Sequence, residues 1–294
     1  MKIVLLGANG QVGWELRKSL SSLKNVIAFD RSHVDLEDIE SLKKRLLEIK
    51  PEIIVNAAAY TQVDKAESEP EKAYLINSTA VNALAEVSKN IGVTLIHYST
   101  DYVFDGTKEG YYLESDPTAP LNVYGKSKLE GEKAILASGC NYFIFRTSWV
   151  YGWHGNNFIK TILRLAQEKE GLKIINDQFG APTSAEFIAT LTTSVIHKIK
   201  GKPELNGIYN LVPSGETTWY EFAKLIVECA LESGLSLKTD PTSIESISSE
   251  NYHTPAARPK NSRLGTTKLQ STFDMSLPKW EEGVYKTVSR IIQP

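Results

Sequence analysis

Near the N-terminus a wholly apolar run, Ile3 to Leu6, breaks at the turn Gly7-Ala-Asn-Gly-Gln-Val-Gly13, and an amphipathic helical pattern follows from about Gln11 to Leu23. This feature narrows the fold more than any other. A short apolar run without alternation is expected of a strand buried on both faces, as in a parallel sheet. The three glycines have separate jobs. Gly7 permits the tight turn, Gly10 lets backbone approach an anion, and Gly13 lets helix and strand pack closely. The helix start then offers free N–H groups and a partial positive charge to a pyrophosphate. A glycine triplet alone is weak, because glycine punctuates many turns. Its place between a strand and a helix makes it a dinucleotide turn.

The same alternation continues. Strand patterns at Val26 to Phe29, Ile53 to Val55, Val93 to Tyr98 and Tyr142 to Phe145 are separated by helical patterns at Ile39 to Ile49, Glu71 to Asn90 and Tyr124 to Leu136. Crossovers of that length imply an α/β, doubly wound, Rossmann-like parallel sheet over residues 1–150. Beyond 150 the rhythm loosens. Helices are expected at Phe158 to Gln167, Ala185 to Ile199 and Tyr220 to Glu232, short strands at Leu172 to Ile175 and Ile208 to Asn210, and mostly loop from Thr239 to Arg263. Residues 151–294 are therefore expected to form a smaller substrate lobe, interwoven with the first part, some segments returning to it.

A chain of 294 residues with 41% hydrophobic and 23% charged residues is ordinary globular material. A net charge of −2 gives no general attraction to nucleic acid or to an anionic membrane. Cys140 and Cys229 form no Cys-x-x-Cys pair and read as small core residues in a reducing compartment. With no signal-peptide pattern and no membrane-length run, the chain reads as a cytoplasmic protein.

Tyr124-Gly-Lys-Ser-Lys128 places a phenol and an ammonium at i and i+4, on one helix face. A lysine cation beside a phenol favours phenolate and brings the tyrosine toward working pH, so Tyr124 can exchange a proton with an alcohol or ketone oxygen. The preceding strand ends in Tyr98-Ser-Thr100-Asp101, which brings hydroxyls to the carboxyl edge of the sheet, where ligands bind. Thr100 can donate to the substrate oxygen and to the tyrosine; it also reads as a turn cap. Asp30 ends the second strand, where an acid can accept from ribose hydroxyls, and it also reads as a turn acid. Arg31 beside it suits a 2′-phosphate, so NADH and NADPH both stay open. His97, on the strand entering the site, reads as packed rather than catalytic, and His154 as a residue near the substrate side.

These residues closely resemble the extended short-chain dehydrogenase/reductase superfamily and, within it, the dTDP-4-dehydrorhamnose reductase family. The likeness rests on ordered blocks along nearly the whole chain: residues 7–16 (GANGQVGWEL), 55–67 (VNAAAYTQVDKAE), 97–104 (HYSTDYVF), 120–128 (PLNVYGKSK), 145–151 (FRTSWVY), 176–183 (NDQFGAPT) and 258–264 (RPKNSRL). The resemblance implies reduction of the C4 ketone of a dTDP-linked 6-deoxy sugar by NADPH or NADH, with Tyr124 protonating the new oxygen and Lys128 and Thr100 positioning it. It implies that Gly10, Gln11 and Val12 hold the pyrophosphate and that Asp30, with Asp35 and Leu36, flanks the adenosine. Ala59, Tyr60, Thr61 and Tyr98 are then expected along the ribose and nicotinamide, and Thr100, Asp101 and Trp149 on the substrate.

Asn156 and Arg258 are further candidates for the nucleotide diphosphate; Arg258 reads equally as a loop-stabilising arginine. Some family members dimerise around Mg²⁺ through acids matching Glu15 and Glu186, which read otherwise as surface helix acids. Two rival readings accompany the reductase: a nucleotide-sugar epimerase or dehydratase of the same superfamily, and a non-enzymatic NADP-binding regulatory subunit.

Overall fold

The computed structural model describes residues 1–23 and 25–293. Its central sheet takes β1 (Ile3–Leu6), β2 (Val26–Phe29), β3 (Ile53–Asn56), β4 (Thr94–Thr100) and β5 (Asn141–Thr147) from the first half. The later strands are β6 (Val150–Tyr151), β7 (Leu172–Ile175), β8 (Phe179–Gly180), β9 (Thr183–Ser184), β10 (Gly207–Asn210), β11 (Thr217–Thr218) and β12 (Ile244–Ile247). The sheet order is β2-β1-β3-β4-β5-β10, and every pairing in it is parallel. The chain reverses direction across the sheet between β1 and β3, which opens a crevice at their carboxyl ends.

Helices cover both faces: α1 (Gln11–Ser19), α2 (Ile39–Ile49), α3 (Val63–Ala66), α4 (Pro70–Tyr74), α5 (Ala80–Ile91), α6 (Val123–Ser138), α7 (Phe158–Glu168), α8 (Ala185–Ile199), α9 (Trp219–Glu232), α10 (Thr267–Phe273) and α11 (Trp280–Ile292). Ile3 and Leu5 face one layer, with Leu16 of α1, Ile188 and Val195 of α8 and Phe273 of α10. Val4 and Leu6 face the other, with Leu42 of α2, Leu84 of α5 and Ile135 of α6. That two-sided burial is why the strand sequence does not alternate. Beyond residue 150, α8, α10 and β10 join this sheet, whereas α7, α9 and α11 pack around Phe222, Ile226 and Val284 as a separate core.

Several elements depart from expectation. Thr239–Arg263 is not all loop, because Ile244–Ile247 pairs in parallel with β7; a run with two apolar residues takes its strand form from a distant partner. The helix expected over Glu71 to Asn90 widens at Leu75–Thr79, between α4 and α5. There Asn77 accepts from the Tyr60 N–H (2.9 Å) and donates to the Tyr60 carbonyl (3.0 Å) and to Ser127 Oγ (3.0 Å). The side chain thereby ties the loop after β3 to α6. Helices α10 and α11 are additional to the expected elements. Among the described residues no helix is long and apolar enough to cross a membrane, and Cys140 and Cys229 are buried and unpaired.

A buried ion pair fixes α6 to the sheet. Arg146 of β5 donates from Nε and Nη2 to Glu132 of α6 at 3.0 and 2.6 Å, and the two side chains are 3% and 1% exposed. Removing one partner leaves the other charged and dry. Glu132→Ala is expected to lower unfolding stability by about 3–5 kcal/mol in urea titrations. Glu130→Ala, which breaks an exposed pair with Lys133 on the same helix, is expected to cost about 0.5 kcal/mol or less.

Candidate active site

The glycine turn behaves as the sequence requires. Gly7 has φ +78°, and a Cβ there would meet the Ala58 backbone nitrogen at 2.6 Å; a Cβ on Gly13 would meet the Gly7 carbonyl at 2.0 Å. Gly10 differs, since a Cβ there meets nothing closer than the Gly7 carbonyl at 3.4 Å. Protein packing demands glycine at 7 and 13, whereas position 10 is open toward the crevice. No side chain caps α1 and its first turn holds no acid, so its leading N–H groups face outward without partners inside the helix. A cavity of about 240 Å³ beside the turn is lined by Gly7, Gly10, Asp30, Arg31, Asp35, Leu36 and Ala59 among others. This cradle fits a dinucleotide: unpartnered N–H groups meet an open position next to a cleft at the sheet's switch point.

Asp30 is held by its own turn. Its carboxylate accepts from Asn9 Nδ2 (2.8 Å), Ser32 N (3.0 Å) and Ser32 Oγ (2.6 Å), and contacts His33 Nδ1 (2.7 Å). Those hydrogen bonds, Ser32 first, hold its pKa well below the carboxylate range. Arg31 pairs with Asp35 at 3.1 Å and with Glu37. Gln11 and Val12 lie on the first turn of α1; the Gln11 side chain accepts from Asn157 Nδ2 at 3.0 Å. Tyr60 turns its hydroxyl to Glu69 (2.9 Å), away from this cavity, and Thr61 is exposed. Tyr98 points its phenol across the sheet to Thr192 of α8 (2.8 Å), so only its backbone faces α6.

At the carboxyl end of β4 the expected trio comes together. Thr100 is buried; its hydroxyl caps the next turn by accepting from Tyr102 N (3.2 Å) and donates to Asp101 Oδ1 (3.0 Å). Tyr124 lies beside it, on the first turn of α6, with the Tyr102 ring edge-on at 5.7 Å. Burial pushes the Tyr124 phenol above its ordinary pKa, and the Thr100 hydroxyl only partly offsets this. The lowering by lysine expected from the sequence is not found: burial and the Asp101 charge raise the phenol, and the Lys128 amine is turned to the Tyr98 carbonyl and the His97 ring. Lys128 Nζ donates to the Tyr98 carbonyl (2.6 Å) and sits 3.1 Å from His97 Nε2. Burial lowers Lys128 to about 8.

Helix α6 can lie this close because Gly125 carries no Cβ, which would meet the Tyr102 carbonyl at 2.2 Å. Asn122 caps it by accepting from Gly125 N (2.8 Å). Ser99 Oγ, Asp101 Oδ2 and Thr147 Oγ1 are buried at this strand edge without a protein partner. Such orphans mark a polar ligand site.

A larger cavity of about 930 Å³ opens beyond, lined by Phe158, Ile174, Trp219, Tyr252, Arg258 and Lys260 among others. The substrate-side expectations distribute unevenly around it. Arg258 lines it, yet its guanidinium donates to Asp64 Oδ2 (2.7 Å) and to the Ala256 carbonyl (3.1 Å), the loop-stabilising arrangement. Trp149, at φ +48°, stacks on Trp219 at 3.8 Å and abuts Gly180. Trp219, not Trp149, lines the cavity. Asn156 is exposed and outside this lining, and the neighbouring Asn157 caps α7. His154 stacks on Trp14 and approaches the Asn9 carbonyl (3.1 Å), over the glycine turn and not on the substrate side.

Glu15 and Glu186 do not form a cation cage within one chain. Glu15 is buried and 3.6 Å from Arg290, and Glu186 pairs with Lys286 at 2.7 Å. Among the described residues no group of three or more His, Cys, Asp or Glu is placed to hold a metal.

The sequence reading passed over Asn56 and Trp219 and took His97 as packed, which its burial bears out. For His97 a signal existed. On β4, Leu95 faces the α5–α6 layer and Ile96 the α1–α8 layer, so His97 follows Leu95 toward α6.

A parallel switch-point sheet, a glycine turn and a Tyr–Lys pair beneath one crevice define an extended short-chain dehydrogenase/reductase. The chain matches the family described as RmlD substrate binding domain over residues 1–292. It is 50% identical to dTDP-4-dehydrorhamnose reductase of Escherichia coli K12, across 99% of this chain and 98% of that protein. A crystal structure of a dTDP-4-dehydrorhamnose reductase from Clostridium acetobutylicum superposes with a TM-score of 0.90 at 34% identity, covering 100% of both chains. The Bacillus anthracis dTDP-4-dehydrorhamnose reductase in complex with NADP gives 0.87 at 36% identity, covering 98% of this chain and 99% of that one. The chain belongs to the dTDP-4-dehydrorhamnose reductase family.

Asp101 supplies a test of this geometry. Burial raises its pKa to about 6, with the nearby Ser262 and Thr100 hydroxyls pulling back. The folded chain then binds more protons than the unfolded one between about pH 4 and 6, so this group's contribution to stability falls as pH rises through that window. Asp101→Asn is expected to raise stability by about 2–3 kcal/mol at pH 8, the gain shrinking toward zero by about pH 4. Urea midpoints at both pH values check it.

Proposed function

We propose that this chain catalyses the NAD(P)H-dependent reduction of the C4 ketone of dTDP-4-dehydro-L-rhamnose to dTDP-L-rhamnose. One observation carries the reading: Tyr124 is held as a phenol beside Thr100, at the carboxyl end of β4. A phenol is the protonation state that a ketone reduction consumes. The substrate named for the relatives supplies a ketone of the right class.

The N–H groups of Gln11, Val12 and Gly13 would hold the dinucleotide pyrophosphate, and Gly10, whose own N–H closes the turn on the Gly7 carbonyl, would leave room for its approach. Asp30, Arg31, Asp35 and Leu36 would border its adenosine, and Ala59 the path toward the ribose. When bound, the reduced nicotinamide supplies the hydride. Tyr124 donates its proton to the oxygen of the reduced carbon, and Thr100 and Asp101 orient that oxygen from the end of β4. Lys128 holds the floor of the site through the Tyr98 carbonyl. Phe158, Trp219, Tyr252 and Lys260 line a cavity with room for the nucleotide end of the substrate, and the Lys260 cation suits its diphosphate.

A dehydratase on this fold requires a second acid beside Asp101, where this chain has Tyr102. Stoichiometry separates the readings. Reductase action consumes one NAD(P)H per sugar reduced, whereas epimerase or dehydratase action consumes none, and a regulatory subunit turns over nothing.

Two outcomes are expected with purified protein and the dTDP-4-keto sugar. Tyr124→Phe loses about 100-fold or more in kcat while retaining cofactor binding by fluorescence titration; full turnover in that variant sinks the acid assignment. Arg31→Ala raises KM for NADPH roughly tenfold and leaves that for NADH nearly unchanged, because only NADPH carries the 2′-phosphate. Equal changes for both cofactors remove Arg31 from the 2′ position.

A further inference from the structure

The loop between β6 and α7, residues 152–157, reaches back from the second core onto the glycine turn. None of its residues lines either cavity described above. Two of its side chains hold the turn on either side of Gly10. Asn157 Nδ2 donates to Gln11 Oε1 at 3.0 Å, and His154 Nε2 is 3.1 Å from the Asn9 carbonyl oxygen.

The loop is braced in this shape. Asn157 also donates to the Gly152 carbonyl at 2.6 Å, which closes the loop on itself. Gly155 takes φ +76°, and a Cβ there would meet Gln11 Cγ at 3.1 Å. The His154 ring lies flat on Trp14 of α1, with centroids 4.2 Å apart and planes 8° from parallel. Trp153 meets the same indole edge-on at 6.0 Å, and Arg290 of α11 covers Trp153 at 4.2 Å.

The Asn9 carbonyl belongs to the peptide that joins Asn9 to Gly10. In a trans peptide the C=O and N–H point to opposite sides of one rigid plane. The Gly10 N–H donates to the Gly7 carbonyl at 3.0 Å. With His154 on the oxygen, the plane is held at both ends. A carbonyl oxygen only accepts, so His154 Nε2 carries a proton and donates it. Without that donor the plane is held at one end, next to a glycine, the residue with the most backbone freedom. It can then tilt and swing a negative carbonyl oxygen toward an incoming anion. The Asn9 side chain meanwhile donates to Asp30 at 2.8 Å, so one residue ties the loop to the adenosine side of the crevice.

We propose that His154 is a positioning residue for the cofactor: its Nε2–H donates to the Asn9 carbonyl and keeps the Asn9–Gly10 peptide in the orientation that admits the pyrophosphate. The proposal rests on the reading above in that the crevice receives NADPH or NADH. It adds that the second core helps to hold the cofactor, acting through the glycine turn.

The test reads binding and needs no turnover. The full chain is titrated with NADPH and, separately, with NADH, followed by fluorescence and calorimetry. His154→Ala is expected to weaken both about fivefold, the scale of one hydrogen bond, because both carry the same pyrophosphate. Two further variants separate donor from packing. His154→Gln restores an N–H at the reach of Nε2 and is expected to bind within about twofold of the unaltered protein. His154→Phe keeps a ring on Trp14 but donates nothing, and is expected to bind as weakly as His154→Ala. In turnover the loss appears in KM for the cofactor more than in kcat. NMR of the unaltered protein labelled with ¹⁵N-histidine is expected to show a proton on His154 Nε2.

Tight binding by His154→Phe, or binding by His154→Gln as weak as by His154→Ala, assigns the residue to packing and overturns the proposal. So does unchanged affinity in His154→Ala, or weakening confined to one cofactor. An Nε2 without a proton overturns it too, and that spectrum needs no variant to fold. Failure of the reductase reading would appear instead as both cofactors bound as expected with no sugar reduced.

Discussion

The amine of Lys128 is buried with 1% of the residue exposed. A buried amine destabilises the fold unless its hydrogen-bonding capacity is met. Its partners are the Tyr98 carbonyl and the His97 ring, neighbours on one strand. Helix α6 must therefore lie directly over β4, and Tyr124, one turn earlier on the same face, arrives at the strand end where Thr100 and Asp101 are found. The contacts that allow this approach are local: the bare Cα of Gly125 against the Tyr102 carbonyl, the Asn122 cap, and Asn77 reaching from the widened turn to both Tyr60 and Ser127. The buried Arg146–Glu132 pair anchors the same helix two turns further on.

Charged groups around the crevice are largely paired within the chain. Arg31 holds Asp35 and Glu37, Arg258 holds Asp64, and Arg290 approaches Glu15. The polar atoms left over are hydroxyls and a carboxylate oxygen at the ends of β4 and β5, together with the leading N–H groups of α1. These donors and acceptors are concentrated where the sheet's geometry opens it to ligands, so recognition there draws on shape and hydrogen bonding at fixed backbone positions.

Much of this was legible in the sequence, for reasons that vary along the chain. β1, β2, α2 and α8 carry their signals locally, in unalternating apolar runs or 3.6-residue stripes, and they appear where expected. Tyr124, Lys128 and Thr100 were visible because i,i+4 spacing and a strand end are local geometry. β12 was not, because Ile244–Ile247 becomes a strand only by pairing with β7, 72 positions earlier in register. The contact of Asn56 with His97 depends on strand register, which one-dimensional spacing does not record. The resemblance put Trp149 on the substrate, but its left-handed backbone turns it onto Trp219, and the cavity wall passes to that second ring. Arg258 was read as a phosphate ligand or a loop brace. Its partner Asp64, 194 positions away, is what makes the brace.

The central claim is that this site delivers a hydride to a sugar ketone and that Tyr124 supplies the proton. Isotope transfer tests it most directly. The protein is incubated with the dTDP-4-keto-6-deoxy sugar and NADPH or NADH carrying deuterium at the transferable nicotinamide position, and the sugar product is examined by mass spectrometry and proton NMR. The account predicts one deuterium per product molecule, located at C4, with one oxidised cofactor formed for each. Product lacking deuterium, or label recovered in reduced cofactor after the sugar has changed configuration, would contradict it.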